Sequence, residues 1–506
     1  MRILIALAVV VGFASVATAA ESQAPVSFHR ELRPLLNAQC NACHKPDKSK
    51  GDLDMTSYAA LMKGGKKGAV VVAGQPAKSR LVEVCTGDEP EMPPEGDPLT
   101  KAQVAIIERW ISQGAKDDTP ALGSTKVEPP VYKVPPVISA MAWSPDGAVL
   151  AVSGYHEVVL HKGDGSGIIA RLVGEMPRIE AIAFSKDGAL IGVAGGSPGE
   201  SGQIQIWDAK SHKLLKTFQP SNDSLYGLSF APDGKSVAVG GADKVARRVR
   251  IEDGAVLTDF RAHADWVLAT AFTLDGKQMV TGGRDKAMKL IDVESGRFID
   301  DINNPLEQVT ALARHPKEEK VLYGGDLGVA RIYKISDNQG RTAGRNDTNL
   351  LVAFERLPAA VTACAFSPDG TRVALGTAGE VRVYDAGGKA PDPAAMAARP
   401  NPARPNPARP GRPARPVARS GGKALLELDG FTGPVFSVAY NPAGTILATG
   451  GFDGTVRLFD AATGDVMKEF PPVPLSVAPA QAGDAQSSAP QSSAAQSSAV
   501  PAAAGK

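Results

Sequence analysis

Aromatic residues make up only 5% of the 506 residues, histidines number 7 and cysteines 4, and the formal net charge is +1. Four cysteines in a chain of this length exclude a disulfide-stapled scaffold. Seven histidines leave little material for several metal centres. With the overall charge balanced, no nucleic-acid partner is expected. Even that balance hides an asymmetry, because Arg399, Arg404, Arg409, Arg412, Arg415 and Arg419 lie together in a stretch without acids, so the remainder is mildly acidic, at about −5. Long apolar runs are also missing. Only Ile3 to Val16 is strongly apolar, which is shorter than the roughly 18 to 20 residues a membrane span requires. With Arg2 before it and Ala17-Thr18-Ala19-Ala20 after it, this run reads as a secretory signal over 1–20, cleaved on export. No transmembrane segment is expected afterwards, and the location is expected to be periplasmic or at the cell envelope.

Two of the cysteines form Cys40-Asn41-Ala42-Cys43-His44. Thiols three positions apart reach the two vinyl groups on one porphyrin edge, and the adjacent imidazole meets the iron, so the spacing predicts one covalently attached haem c. A redox dithiol would call for a surrounding βαβ pattern, and a zinc site for two further ligands at short spacing. Neither is present. An exported chain also matches attachment chemistry that takes place outside the bacterial cytoplasmic membrane. Cys85 and Cys364 read as buried apolar thiols.

The haem motif sits in a first unit expected over 21–118. Phe28, Leu32, Leu35 and Leu36 form the stripe of a short amphipathic helix before the motif, with Pro34 tolerated only at a start or kink. Thr100-Lys101-Ala102-Gln103 reads as a capping box for a second helix carrying Val104, Ile107, Trp110 and Ile111, ended at Gly114. His44 supplies one axial ligand. Met92, in Glu89-Pro90-Glu91-Met92-Pro93-Pro94, is the candidate for the other, since flanking prolines present its thioether on a stiff, extended backbone. His29 and an open position are the alternatives, while Met55 and Met62 read as core methionines. Lys45, Lys48, Lys50, Lys63, Lys66 and Lys67 follow the motif, either as a docking ring for an acidic redox partner or as a solvated surface.

A linker is expected over 119–136, and from 137 to 473 the chain repeats. Trp143-Ser-Pro-Asp-Gly, Phe184-Ser-Lys-Asp-Gly, Phe230-Ala-Pro-Asp-Gly, Phe272-Thr-Leu-Asp-Gly, Phe366-Ser-Pro-Asp-Gly and Tyr440-Asn-Pro-Ala-Gly recur, with a degenerate copy at Arg314-His315-Pro316. Their spacings of 41, 46, 42, 42, 52 and 74 residues fit a repeat of about 40 to 45 with insertions in the last two intervals. Each anchor lies between short apolar strands, and an alternating strand ending in an acid follows, as in Ile204 to Asp208 or Val456 to Asp460. The proline- and arginine-rich stretch 386–422 reads as a disordered insertion, and 474–506, rich in Ala, Gln, Ser and Pro, as a disordered tail.

These repeats resemble WD repeats, which implies an all-β seven-bladed propeller acting as a partner-docking platform. Gly-His pairs are nearly absent, with Ala262-His263 the nearest, and only Trp207-Asp208 keeps a strand-ending Trp-Asp. The first unit resembles the class I cytochrome c domains of secreted planctomycete proteins, through Phe28 to Leu36, Cys40 to His44, Met92 to Pro94 and Trp110-Ile111. That resemblance implies an all-α domain with haem held by Cys40, Cys43, His44 and Met92. The expectation is an electron carrier rather than a catalyst, passing electrons to a redox partner protein while the propeller holds a protein partner. The alternatives are a scaffold with a haem-based redox or gas switch, and an oxidoreductase with a second centre in the propeller.

Overall fold

The computed structural model describes residues 24–45, 48–119, 127–303, 307–335, 349–388 and 419–476. The expected signal segment lies outside them, as do most of the 386–422 insertion and of the tail.

In the first unit the chain turns through a π-helical stretch, Phe28–Leu32, into α1, Arg33–Gln39. Pro34 sits in the first turn of α1, where its missing amide costs no helix bond. Then come a two-stranded antiparallel hairpin, β1 (His44–Lys45) with β2 (Lys48–Ser49), and the short helices α2 (Tyr58–Lys63) and α3 (Arg80–Glu83). Last is α4, Lys101–Ser112. The capping box is present: the Thr100 hydroxyl accepts from the Gln103 amide, and the Gln103 side chain accepts from the Thr100 amide at 2.8 Å. Helices are few and short here, and the hairpin departs from the all-α expectation. Immediately after His44 the chain doubles back on itself, so strand pairing replaces helix at that point.

One core joins the ends of this unit. Phe28, Tyr58 and Trp110 form an aromatic cluster, with Phe28 and Trp110 centroids 5.5 Å apart and Tyr58 edge-on to both. Both polar tips are satisfied, since Trp110 Nε1 donates to the Lys116 carbonyl (2.9 Å) and the Tyr58 hydroxyl to the Ala115 carbonyl (3.0 Å). The cluster therefore pins the start of the unit to its last helix.

Beyond Tyr132 the chain is a propeller-like β domain of antiparallel sheets. Among the described residues seven strand sets follow in order, and their innermost strands begin at Met141, within Ile168–Phe184, and at Leu225, Val267, Val309, Ala363 and Val435. The first two sets share the long strand Ile168–Phe184, which pairs with Tyr155–Lys162 on one side and Leu190–Ser197 on the other. Each innermost strand packs beside the next, and the last packs beside the first. Hydrogen bonds close the cycle: Ile138 N to Gly451 O (2.9 Å), Met141 N to Ser437 Oγ (3.0 Å) and Trp143 Nε1 to Ala439 O (3.1 Å). Ile138, Met141 and Trp143 also share an apolar core with Ala448, Val456 and Leu458. The first and last repeats are thus bound together by burial as well as by hydrogen bonds.

The repeated anchors owe their composition to one clasp. At Ser144-Pro-Asp-Gly the Asp146 carboxylate accepts from the Ser144 hydroxyl (2.5 Å) and the Ala148 amide (3.0 Å), Ser144 Oγ accepts from Val149 N (2.9 Å), and Gly147 takes φ +73°. The same clasp recurs at Ser185/Asp187, Thr273/Asp275 and Ser367/Asp369. At the last anchor Asn441 replaces it, its Oδ1 accepting from the Thr445 and Ile446 amides.

Two ends of segments read as irregular pair with the ring. Arg419–Ser420, closing the 386–422 stretch, adds a parallel strand to Leu350–Ala353. Ser476 N donates to the Tyr132 carbonyl at 2.8 Å, so the expected tail and linker run side by side at their described ends. The linker is anchored by the Tyr132 hydroxyl, which donates at 2.8 Å to buried Glu157, itself held by Arg171 through Nε (2.6 Å) and Nη2 (2.7 Å).

Candidate cofactor site

Where α1 ends, the chain makes a tight turn that gathers the motif. Cys40 N donates to Leu36 O (2.8 Å), and both Cys43 N and His44 N return to Cys40 O at 3.1 Å. Two further bonds fix the exit, Lys50 N to Cys43 O (3.1 Å) and Met55 N to His44 O (3.0 Å). The two thiols and the imidazole are therefore carried by one rigid loop.

That loop forms part of the wall of a cavity of about 410 Å³. Met92 lines the same cavity, carried by the loop that follows α3, with its amide donating to Val84 O at 2.8 Å. Arg80 steadies the neighbouring residue, facing Glu91 at 3.4 Å and Glu83 at 3.7 Å. Apolar wall is supplied by Leu53, Val70, Leu81 and Leu99. Cys40, Cys43, His44 and Met92 are thus brought together across 52 residues of sequence. His29 is not among the lining residues; its amide is bound to Asp118 Oδ1 at 2.9 Å. Met55 has both placements, being buried in the core of the unit and lining the cavity.

One cavity residue was not legible as such in the sequence. Cys85 lines the cavity with Cys40, and nothing in its surroundings distinguishes it from any buried small residue. Burial, and secondarily the facing Cys85, pushes the Cys40 thiol up to about 12, while burial raises Cys85. All four cysteines are free of disulfides.

The donor set and the cavity suit a tethered porphyrin. Two thiols on one turn, an imidazole beside them and a thioether on another loop surround a mostly apolar space of ligand size. His44 Nδ1 is buried without a hydrogen-bond partner among the described residues.

In the repeat domain His161, His263 and His315 are held by hydrogen bonds, whereas His156 Nδ1 is buried without a partner among the described residues. His263 Nδ1 meets Asp285 Oδ2 (3.0 Å) and its Nε2 meets Thr281 Oγ1 (2.7 Å). His161 Nε2 reaches the Pro472 carbonyl (2.9 Å). His315 Nδ1 accepts from the Lys317 and Glu318 amides, and its Nε2 then donates to the Gly370 carbonyl. His156 and His212 occupy positive-φ positions. Among the described residues, no three His, Cys, Asp or Glu side chains cluster as a metal site.

Two hydrogen bonds between the described residues join the two units. Asn222 Nδ2 donates to Thr56 Oγ1 at 2.8 Å, and Arg33 Nη2 to the Glu200 carbonyl at 2.8 Å. Glu200 and Asn222 lie in turns next to the strand Ser201–Asp208 and after Leu214–Ser221, on the second strand set.

Comparison with known families places two models on the chain. A model described as planctomycete cytochrome C matches residues 40–96, and one described as WD domain, G-beta repeat matches 212–247, 254–292, 355–385 and 422–460. No curated protein matches the chain. The chain therefore joins a cytochrome-like domain to WD repeats.

Proposed function

We propose that this fusion of a cytochrome-like domain and WD repeats is an exported, single-haem c-type electron carrier whose repeat domain docks a protein partner. The observation that carries the reading is the convergence of Cys40, Cys43, His44 and Met92 on one apolar cavity. Haem bound there would supply a one-electron Fe(III)/Fe(II) couple. Cys40 and Cys43 would hold it through two thioethers, so that a small unit with little core of its own need not rely on packing for affinity. His44 and Met92 would fill both axial positions, leaving none for a substrate, which favours electron transfer over catalysis. A thioether ligand and apolar walls both favour the reduced, less charged state and so raise the potential.

In this reading the first unit is a class I cytochrome module and the cyclic array of seven strand sets is a seven-bladed propeller. WD repeats generally mediate protein contacts, and the bonds that join Thr56 and Arg33 to the second strand set support a haem-bearing unit lying beside that platform. A redox partner docked on the repeats would then be close to the haem, where proximity rather than affinity sets the rate. The apolar run at 1–20 supports export to the periplasm or envelope.

Spectroscopy of the mature chain, expressed with a haem-attachment apparatus, tests this. The expected result is a c-type Soret and reduced α band, together with a methionine-to-iron charge-transfer band in the oxidised state. A c-type spectrum without that last band, or strong carbon monoxide binding by the ferrous protein, would overturn the assignment of Met92 and the electron-carrier reading with it.

A further inference from the structure

We infer that the turn Gly64 to Gly68 is the anchor for the two propionate carboxylates of the porphyrin, received by Lys66 and Lys67; this rests on the haem reading above. A macrocycle tethered to Cys40 and Cys43 through its vinyl carbons carries its carboxylates at the other edge. Two carboxylates against an apolar cavity are costly unless cations meet them. Four cationic side chains line the cavity, Lys50, Lys66, Lys67 and Arg80, against two carboxylates, Glu91 and Glu95. Arg80 is already engaged by Glu83 and Glu91. Neither Lys66 nor Lys67 forms an ion pair among the described residues.

The turn itself is rigidly built. Gly65 N donates to Gly68 O (3.0 Å), Gly68 N to Gly65 O (2.8 Å), and Lys66 N to Gly51 O (2.8 Å). Gly64 has φ +76°, and a Cβ there would stand 2.3 Å from Gly68 O; one on Gly65 would stand 2.6 Å from Gly51 O. The backbone is pinned to the segment that follows the haem motif, and from this fixed base two adjacent, solvent-exposed lysines line the cavity. Lysine suits this task, being a compact charge on a stem that can reach either carboxylate oxygen.

The test is resonance Raman spectroscopy of the propionate-bending band, with a pH titration of the reduction potential, on the full-length holoprotein. In K66A/K67A the band is expected to shift to lower frequency, and the pH at which the propionates ionise in the potential titration to rise by about one unit or more. K66R/K67R should restore both. Lys78→Ala, which removes an exposed charge outside the cavity lining, should change neither. An unmoved band and titration in haem-bearing K66A/K67A, or equal changes in K78A, would overturn the proposal. So would slower reduction by an acidic redox protein with the band unmoved, which would assign the lysines to partner docking. If the double variant emerges without haem, K66A and K67A singly give the same readout. Absence of haem from the wild type would instead sink the cofactor reading, and is seen separately in the Soret region.

Discussion

Asn222 donates its side-chain amide to the Thr56 hydroxyl at 2.8 Å, and this bond ends a short relay to the proximal loop of the cofactor site. Thr56 follows Met55, whose amide donates to the carbonyl of His44, and the Thr56 hydroxyl in turn donates to Asp54. Asn222→Ala removes one partly buried bond, worth about 1 kcal/mol. Amide exchange at Met55 and Thr56 is expected to speed up by about fivefold, while the repeat domain melts as before. Hydrogen-exchange mass spectrometry of the holoprotein checks this, and unchanged exchange would mean the two units do not restrain each other through this contact.

His263, Asp285 and Thr281 should dominate the acid response of the fourth strand set. Burial pushes the Asp285 carboxyl up, but the hydrogen bond and charge of His263, with the amides of Ala264 and Ala287, outweigh it and hold the carboxyl below its ordinary value. A depressed carboxylate contributes stability that is complete above the unfolded value of about 3.9 and is lost as pH falls through the lower folded value. Thermal melts should therefore weaken below about pH 4, and less so in Asp285→Asn. His263→Ala should cost about 1 to 3 kcal/mol at neutral pH, because the Asp285 and Thr281 side chains lose a buried partner.

Thiol chemistry gives an independent count. With Cys40 and Cys43 consumed as thioethers, denatured holoprotein should present two free thiols from the four cysteines, namely Cys85 and Cys364. In the native state both should resist alkylation, since burial raises Cys85 and pushes Cys364 up to about 12. Four reactive thiols after denaturation would contradict covalent attachment.

Met92→Ala should abolish the charge-transfer band and lower the reduction potential by roughly 0.1 V or more, within the span of about 0.8 V that axial ligands command. The vacated position should then bind carbon monoxide in the ferrous state. A spectrum and potential identical to wild type would move the ligand elsewhere, with Met55 next in line because it lines the same cavity.

Much of this architecture was legible because the responsible chemistry is local. The Cys40 to His44 spacing, the Thr100/Gln103 box and the Ser-Pro-Asp-Gly clasps each act within about five residues, so the order of residues alone reveals them. Repetition of that clasp marked the strand sets even where the WD model leaves the chain unmatched, as at Trp143 and Phe184. What stayed hidden depends on closure over long distances. Cys85 joins the cavity only because the loop after α3 folds back over the motif. Several sets replace the missing histidine bond with an ion pair that has no fixed signature: Arg247 with Asp243 (2.5 Å), Arg457 with Asp453 (2.6 Å), and Arg331 with Glu307 and Tyr323. The degenerate anchor at His315 stayed readable only by spacing, because its ring, rather than a Ser-Asp clasp, caps the turn by accepting two amides. The hairpin after His44 escaped notice because two-residue strands carry no periodicity.

Covalent attachment is the central claim, and denaturing intact-mass analysis with in-line visible detection measures it most directly. The account predicts porphyrin absorbance co-eluting with the unfolded chain, at the mass of the mature polypeptide plus one haem, and its loss when Cys40 and Cys43 are both replaced by Ala. A chain at its bare polypeptide mass, colourless or with its haem eluting separately, would contradict it.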